Sequence, residues 1–351
     1  MNVRTILEKA VEEKVSDVFL VAGRAVSFRI NRTIKKEDGE RLMPADTKEL
    51  VSQIYALAND RDISILYQTG DDDFSVSIPG LSRFRVSAFK QRGSLSAVIR
   101  VITYDLPNPE ELMLPPYIFE LAESSKGMIL VTGPAGSGKS TTLACMIDHL
   151  NQTQEKHIIT LEDPVEHLHR HNLSIVSQRE INVDTVNYVS ALRAALRQSP
   201  DVILLGEMRD YETIEVAMTA AETGHLLLST LHTIGAANTI DRIIDVFPAN
   251  QQRQIAVQLS MTLDAVISQQ LLPAVDGGVV PAFEIMTVNT AIRNMIRENK
   301  VHQIDGQLYS SAKEDMFSMD SSLLQLYKKG RITRDTALTY ASNPDMLGKK
   351  L

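Results

Sequence analysis

The sequence predicts an α/β protein of two domains, and three features of the chain support this. From about residue 117, short and continuously apolar runs alternate with helix-like stretches, which is typical of a parallel sheet covered on both faces. Before residue 105 the pattern is strand-like alternation together with two amphipathic stretches, which indicates an α+β unit. A chain of 351 residues also suits two domains better than one.

The domain boundary is predicted near residue 105. Residues 1–104 would form the first domain, residues 105–116 a linker and residues 117–351 the second domain. The linker contains Leu106-Pro107-Asn108-Pro109 and Pro115-Pro116. Prolines spaced in this way favour an extended connector, because each one lacks a backbone N–H and cannot continue a helix.

Within the first domain, apolar residues at helical spacing predict a helix over residues 5–14 and a second helix that begins at Pro44. Four strands are predicted at residues 18–22, 27–30, 83–88 and 96–102. In the third of these, Phe84, Val86 and Ala88 would share one face, with Arg83 and Arg85 on the other. That strand is therefore expected to have one buried and one solvated face.

The second domain should contain four buried strands, at residues 128–132, 157–161, 202–205 and 226–231. After Pro273 the chain is expected to be mainly helical, with C-terminal helices from about residue 289. In open parallel sheets a ligand binds beyond the carboxyl ends of the strands. The polar residues that follow each apolar run are therefore candidates for one site.

Composition excludes several classes of function. The formal net charge of −8 argues against a general nucleic-acid binder. Cys145 is the single cysteine of the sequence, which excludes an intrachain disulfide and a cysteine-cluster zinc site. The sequence contains no apolar run of about 18 residues and no signal-peptide core. A cytoplasmic protein is the expectation that follows.

Residues 133–140 match the phosphate-loop pattern G-x-x-x-x-G-K-[ST] in full. The apolar run of residues 128–131 leads in as a strand, and residues 141–150 follow as a helix, which is the context that this chemistry needs. Lys139 would reach the β- and γ-phosphates, and the Ser140 hydroxyl would hold Mg²⁺. The predicted nucleotide-binding residues of this loop are Gly133, Pro134, Ala135, Gly136, Ser137, Gly138, Lys139, Ser140 and Thr141.

Acidic and histidine side chains follow the other predicted strands. Hydrolysis of ATP needs an acid near Mg²⁺, a carboxylate for the attacking water and a polar sensor of the γ-phosphate. Glu207 is placed for the metal side, and either Glu166 or Glu162 for the water. His225 and His232 bracket the last strand, and both are candidates for phosphate sensing or subunit coupling. A metal pair is the alternative for the histidines, but the flanking acids are better explained by Mg²⁺-nucleotide.

Residues 196–210, Leu-Arg-Gln-Ser-Pro-Asp-Val-Ile-Leu-Leu-Gly-Glu-Met-Arg-Asp, resemble the signature of the secretion and type IV pilus motor ATPases. The segment 162–166 resembles the Asp box of that family, and residues 224–233 resemble its His box. All three occur in the family's order. Near the N-terminus the family often has Ser-Asp-Leu-His, whereas residues 16–19 here read Ser-Asp-Val-Phe.

A further segment resembles the A-I-R-N-L-I-R-E motif of the pilus-retraction ATPases, of the PilT type, with Met295 in place of leucine. The residues alone predict two turns of an amphipathic helix, in which Ile292, Met295 and Ile296 pack inward and the charged residues face outward. The full segment is Ala291, Ile292, Arg293, Asn294, Met295, Ile296, Arg297 and Glu298.

The resemblance implies a PAS-like N-terminal domain, a RecA-like ATPase domain, ATP and Mg²⁺ as cofactors, and a homohexamer. It also implies pilus disassembly at the cytoplasmic face of the inner membrane, through an inner-membrane platform protein. By the same resemblance Glu166 is the catalytic carboxylate and Glu207 the Walker B acid. Arginines of the N-terminal hairpin would complete the nucleotide site, and the candidates are Arg83, Arg85, Arg92 and Arg100.

Three other functions remain open from the sequence. A pilus-assembly or type II secretion motor is one, although that branch usually carries a tetracysteine module and this chain has one cysteine. A RecA-type nucleic-acid motor is a second, against which the acidic charge balance argues. The third is a regulatory subunit that partners a second retraction ATPase.

Overall fold

Alternating apolar and polar residues in the N-terminal part of the chain build an antiparallel sheet of six strands, in the order β3-β2-β1-β6-β5-β4. The computed structural model describes residues 2–30, 33–102, 106–311 and 316–351. The strands are β1 (Asp17–Leu20), β2 (Ser27–Ile30), β3 (Thr33–Lys36), β4 (Asp71–Ile78), β5 (Ser82–Gln91) and β6 (Ser94–Ile102). The helices are α1 (Val3–Glu12), α2 (Pro44–Leu57) and α3 (Ser64–Thr69).

Strand β5 has the two faces that its sequence predicts. Phe84, Val86 and Ala88 are buried and pack with the helices in one apolar cluster. Arg85 lies on the other face, where it is exposed and pairs in register with Arg100 of β6. The predicted helices and strands of this region are found, each within a few residues of its expected bounds, whereas β3, α3 and β4 were not foreseen.

A seven-stranded sheet organises the rest of the chain, in the order β13-β12-β7-β11-β10-β8-β9. Its strands are β7 (Gly127–Thr132), β8 (His157–Glu162), β9 (Ile175–Glu180), β10 (Val202–Leu205), β11 (Leu226–Leu231), β12 (Leu263–Pro273) and β13 (Val279–Thr287). All pairings are parallel except that of β12 with β13. The sheet is therefore mixed, and the fold class is α/β as predicted.

The helices of this part begin with α4 (Tyr117–Ala122), α5 (Lys139–Thr153), α6 (Tyr188–Ala195), α7 (Tyr211–Glu222), α8 (Ala236–Asp245), α9 (Ala249–Thr262) and α10 (Thr290–Arg297). A 3-10 turn at Val301–Gln303 precedes α11 (Ile304–Ser310), α12 (Met319–Lys328), α13 (Arg334–Thr339) and α14 (Pro344–Gly348). The expectation of a mainly helical chain after Pro273 is corrected by β13, in which Pro281 and the charged Glu284 interrupt the apolar run.

Neighbouring residues of the central strands face opposite apolar layers. Met128 and Leu130 of β7 pack into one cluster, and Ile129 and Val131 pack into another. All four are fully buried. This double coverage explains why the central strands read as continuous apolar runs rather than as alternating ones.

The chain divides into two compact units. The first comprises Met1–Asp105 with Glu166–Leu168, and the second Leu106–Val165 with His169–Leu351. The predicted boundary, between residues 104 and 105, lies outside the described residues. Over the described ranges, none of the helices is long and apolar enough to cross a membrane.

One buried carboxylate joins two helices of the second unit. Glu284 of β13 is 4% exposed and accepts hydrogen bonds from the backbone N–H of Ala236 at 2.8 Å and of Met319 at 3.1 Å. These are the first residues of α8 and α12, whose N-terminal N–H groups have no partner within their own helices. Burial raises the pKa of Glu284, and the two backbone hydrogen bonds oppose that rise.

We predict that E284A lowers the free energy of unfolding by about 2–4 kcal/mol, because two buried N–H groups lose their acceptor. Denaturant unfolding monitored by circular dichroism measures it. The control is E298A, since Glu298 is exposed and its carboxylate accepts a hydrogen bond from Lys300 on the surface. Equal stability of the two variants would contradict the proposed bridging role of Glu284.

Candidate nucleotide site

The phosphate-loop residues 133–138 connect β7 to α5, as the sequence predicts. Three of its glycines have positive φ angles, at 141° for Gly133, 76° for Gly136 and 91° for Gly138. These conformations suit glycine because it has no Cβ. Gly138 is also the N-cap of α5, so the loop ends at a helix N-terminus, where backbone N–H groups and the helix dipole favour an anion.

A residue of the neighbouring strand holds the loop from behind. The side-chain oxygen of Gln269 in β12 accepts a hydrogen bond from the Thr142 hydroxyl at 2.7 Å. A Cβ built on Gly133 would lie 2.1 Å from the backbone oxygen of Gln269, and one built on Gly138 would lie 2.9 Å from its side-chain nitrogen. Close approach to the Gln269 backbone therefore requires glycine at position 133, while Gly138 is favoured by its φ angle and lies close to the Gln269 amide.

The polar groups of the loop fit a phosphate ligand. Lys139 is 8% exposed, and its ammonium group donates to the backbone oxygens of Gly133 at 2.9 Å and Pro134 at 3.0 Å. In the described part of the chain, the buried Ser137 hydroxyl contacts no hydrogen-bond partner. A buried cation and an unsatisfied buried hydroxyl beside a helix N-terminus are suited to bind phosphate oxygens. Ser140, at the second position of α5, is exposed and accessible to a metal ion.

The parallel register brings three of the predicted residues to the edge of the sheet where the loop lies. Leu161, Leu205 and Ser229 are aligned across β8, β10 and β11, and Leu231 is aligned with Thr132 of β7. Glu162, Glu207 and His232 therefore leave neighbouring strands at the same edge, as predicted.

Glu207 lies at the centre of this group. Its carboxylate contacts the Arg209 guanidinium at 2.6 Å and His232 Nε2 at 3.4 Å. The side chain of Glu207 is 15% exposed and that of His232 is 52% exposed. The hydrogen bond and charge of Glu207 raise the pKa of Arg209. A shielded carboxylate that is open on one side can bind a metal ion or its water.

Glu162 is fixed by its neighbours in the sheet. Its carboxylate accepts hydrogen bonds from the Thr160 hydroxyl at 2.6 Å and from the Gln178 amide at 3.3 Å. Glu166 is exposed and belongs to the short segment that groups with the first unit. The catalytic role of Glu166 stays a prediction.

The structure does not bring His225 to the phosphate loop. This residue precedes β11, and its backbone oxygen accepts from the N–H of Gly127, the first residue of β7. It lies at the amino edge of the sheet, about 20 Å from the carboxyl edge for six-residue strands. Its ring nitrogen contacts the Ala220 carbonyl at 3.0 Å and Thr223 at 3.2 Å. The structure of one chain therefore does not support the prediction that His225 binds nucleotide.

The four candidate arginines all belong to the first unit, and their surroundings differ. Arg100 donates to Asp17 at 3.1 Å, a carboxylate that also binds Arg29 at 3.2 Å. Arg83 donates to Ser77 at 3.3 Å. Arg85 is exposed on the open sheet face, and Arg92 occupies the β5–β6 turn with φ 48°. Their contact with nucleotide stays a prediction.

A cavity of about 200 Å³ adjoins the phosphate loop at the start of α5. It is bordered by Gly138, Thr141 and Thr142 on one side and by apolar residues of the 111–114 segment and of β12 and β13 on the other. The apolar residues are Leu112, Met113, Leu114, Leu271, Val279 and Pro281. Its position beside the phosphate loop and its apolar wall suit a flat nucleobase.

The motif of residues 291–298 forms α10 and its C-cap at the amino edge of the same sheet. Ile292 and Ile296 are fully buried and Met295 is partly buried, as predicted. Arg293 corrects the expectation of an outward charge, because it donates to the backbone oxygens of Ser260 at 2.8 Å and Met261 at 3.2 Å. It thereby caps the end of α9. Arg297 is exposed and donates to the side chain of Asn294 in its own helix.

Three functional candidates escaped the sequence prediction. Gln269 lies in a strand that was not predicted, although its buried Ser-Gln-Gln run within an apolar segment was a possible signal. Arg209 lies within the 196–210 signature, but its role became visible through its ion pair with Glu207 in the structure. Tyr188 is the first residue of α6, and its hydroxyl lies against Gly206 at the same edge of the sheet. Nothing in the sequence around it indicated this position.

We predict that G133A weakens ATP binding at least about tenfold, since the new methyl group meets a backbone oxygen that cannot move away. G136A is the matched control, because no atom lies within 4 Å of a Cβ there and only the strain of its φ angle remains. Titration with a fluorescent ATP analogue compares the two. Similar affinities for both variants would contradict the role given to the Gln269 contact.

Comparison with known proteins identifies the family. The family described as type II/IV secretion system protein matches residues 1–328. The chain is 42% identical over 345 residues to the type IV pilus retraction ATPase PilT of Pseudomonas aeruginosa, covering 98% of this chain and 99% of that protein. It is 47% identical over 301 residues to a twitching motility protein of Neisseria gonorrhoeae, covering 86% of this chain and 80% of that protein.

A solved structure agrees with these relatives. The crystal structure of the pilus retraction motor PilT with bound ADP matches with a TM-score of 0.90 and 46% identity, and the match covers 99% of each chain. The chain therefore belongs to the family of type II/IV secretion system proteins and has the α/β fold of the ADP-bound retraction motor PilT.

Proposed function

We propose that this chain is the ATPase motor that retracts a type IV pilus, with ATP as substrate and Mg²⁺ as cofactor. The observation that carries the proposal is a phosphate loop at the same edge of the sheet as Glu162, Glu207 and His232. The chain that carries it matches PilT over nearly its whole length. The names of the two sequence relatives, a retraction ATPase and a twitching motility protein, support the same function.

Binding follows from the geometry of the loop. The triphosphate accepts hydrogen bonds from the loop N–H groups, and Lys139 exchanges its two carbonyl partners for the β- and γ-phosphates. The nucleobase occupies the apolar cavity next to Thr141 and Thr142. Ser140 and, partly through water, Glu207 would hold Mg²⁺, which would supply positive charge to neutralise the phosphates.

Hydrolysis needs a carboxylate that orients or deprotonates the water. Glu162 is held rigidly at the edge by Thr160 and Gln178, and Glu166 is accessible on the loop that follows. Glu166 is the preferred catalytic carboxylate by resemblance to the family, with Glu162 as a supporting acid. His232 contacts Glu207 at 3.4 Å, so a change at the γ-phosphate can be sensed through this pair.

The motor proposal includes an assembly. We propose a homohexamer in which the RecA-like second domain binds ATP and arginines of the PAS-like first domain, among Arg83, Arg85, Arg92 and Arg100, reach a nucleotide. Exposed Arg85 and the turn residue Arg92 fit this role better than Arg100, which is already bound to Asp17. The ring would work at the cytoplasmic face of the inner membrane, against a platform protein, without direct nucleic-acid contact.

The 291–298 motif serves as the partner surface in this proposal. It lies at the edge of the sheet away from the phosphate loop, so it has no access to nucleotide in the same chain. We predict that R297A hydrolyses ATP at the wild-type rate and keeps its stability within about 0.5 kcal/mol, yet fails to restore twitching. R293A should lose stability by about 1–2 kcal/mol, because it uncaps α9.

Arg242→Ala, at an exposed position of α8, is the matched control for R297A. Twitching zones and ATP turnover are measured for each variant. Normal twitching with R297A would show that the exposed face of the motif contacts no partner.

The function itself is tested in a strain that lacks this chain. We predict more surface pili and no twitching. K139A expressed in that strain should restore neither the normal number of pili nor twitching, because phosphate binding is lost. Purified K139A should show no ATP turnover above background. Bald cells would indicate a pilus-assembly motor instead. Unchanged pili together with active ATP turnover would contradict the assigned partner.

A further inference from the structure

The segment of residues 162–169 is held by two side chains of β9, the strand at one edge of the seven-stranded sheet. Gln178 and Glu180 lie two residues apart in β9, so their side chains leave the same face of the sheet. Glu180 is 3% exposed, and Gln178 is half-buried. Strand β9 pairs in parallel with β8, and Glu180 is aligned with Glu162, the last residue of β8. Both residues are therefore next to the point where the segment leaves the sheet.

The side-chain amide of Gln178 connects the two ends of the segment. Its nitrogen donates to Oε1 of Glu162 at 3.3 Å, and its oxygen accepts from the backbone N–H of His169 at 2.8 Å. These partners determine the orientation of the amide, because an ionised carboxylate can only accept and a backbone N–H can only donate. An ionised glutamate has no donor, and an apolar side chain has neither group. Among side chains of this length, the position therefore requires glutamine.

Glu180 holds the same segment at a third point. Its carboxylate accepts a hydrogen bond from the backbone N–H of Val165 at 3.1 Å. Val165 is buried, and a buried N–H that loses its acceptor destabilises the conformation in which it lies. The segment is thus fixed at both ends and at Val165. Glu166 directly follows Val165 in the sequence, so the backbone that carries Glu166 begins at a fixed residue.

We propose that Gln178 and Glu180 are positioning residues for ATP hydrolysis. Through these three hydrogen bonds they fix the segment that contains Glu162 and Glu166, the carboxylates that the proposed function assigns to the attacking water. The inference thus rests on the proposed function. Neither Gln178 nor Glu180 contacts ATP in this role. Each acts by restricting the segment, since a small displacement of a catalytic group lowers the rate of reaction steeply.

The decisive variant is Q178M, which keeps the length of the side chain and removes both hydrogen bonds. We expect kcat for ATP to fall about tenfold, because one of these bonds involves a charged group and both ends of the segment are released. KM for ATP and the affinity for a fluorescent ADP analogue should stay within about twofold, because the phosphate loop is unchanged. Q178E should lose at least as much kcat as Q178M, since its carboxylate repels that of Glu162.

Q152M is the matched control. The amide nitrogen of Gln152 also donates to a carboxylate, that of Asp148 at 2.6 Å, but Gln152 is exposed near the end of α5. Its kcat should equal that of the wild type. A kcat of Q178M equal to that of Q152M would overturn the proposal. So would a loss of kcat accompanied by an equal loss of ADP affinity, because that pattern indicates a general disturbance of the site.

A second pair of variants tests the contact of Glu180. E180A leaves the buried N–H of Val165 without this acceptor, and kcat should fall about tenfold. E180Q should recover most of that loss, because the oxygen of an amide can accept from the same N–H. An E180Q variant as slow as E180A would contradict the role given to this hydrogen bond.

K139A in the same assay tests the proposed function separately. If K139A loses turnover while Q178M keeps the wild-type kcat, the positioning role fails and the proposed function stands. Full turnover of K139A would instead overturn the proposed function, and the positioning role with it.

Discussion

The parallel register of β7, β11, β10 and β8 is the constraint on which the site depends. Because the four strands are aligned and run in one direction, the residues that follow them meet at one edge. The phosphate loop, Glu162, Glu207 and His232 are far apart in sequence and adjacent only for this reason. The continuous burial of these strands on both faces holds the register firmly, since a slipped strand would expose apolar residues or leave backbone groups unpaired.

The outer strands β12 and β13 extend this constraint to the rest of the unit. Gln269 of β12 closes the phosphate loop from behind, and Glu284 of β13 binds the first residues of α8 and α12. At the amino edge, Arg293 of the 291–298 motif pairs with Asp264 of β12 and donates a hydrogen bond to the end of α9. One sheet therefore carries the nucleotide site at one edge and the proposed partner surface at the other, which suits a protein that converts hydrolysis into work on a partner.

Features that depend on short stretches of the chain were predictable from the sequence. The phosphate loop was found because glycine spacing, a strand before it and a helix after it are all encoded within about 25 consecutive residues. The four central strands were found because burial on both faces leaves an unbroken apolar run. Strand β13 was missed because Pro281 and the charged Glu284 interrupt its apolar run. His225 was grouped with His232 because the two are seven residues apart, although a strand of six residues places them at opposite edges.

The sequence alone determined the α/β class, the phosphate loop, the acids that follow the strands and the resemblance to the pilus motors, since each depends on short-range order along the chain. Tertiary structure decided which of those residues meet. It placed Gln269 behind the loop, the Tyr188 hydroxyl against Gly206, and the Arg293 guanidinium on the last carbonyls of α9. These contacts join residues from 18 to 127 positions apart, and long-range packing fixes them only when the whole sheet and its helices have assembled.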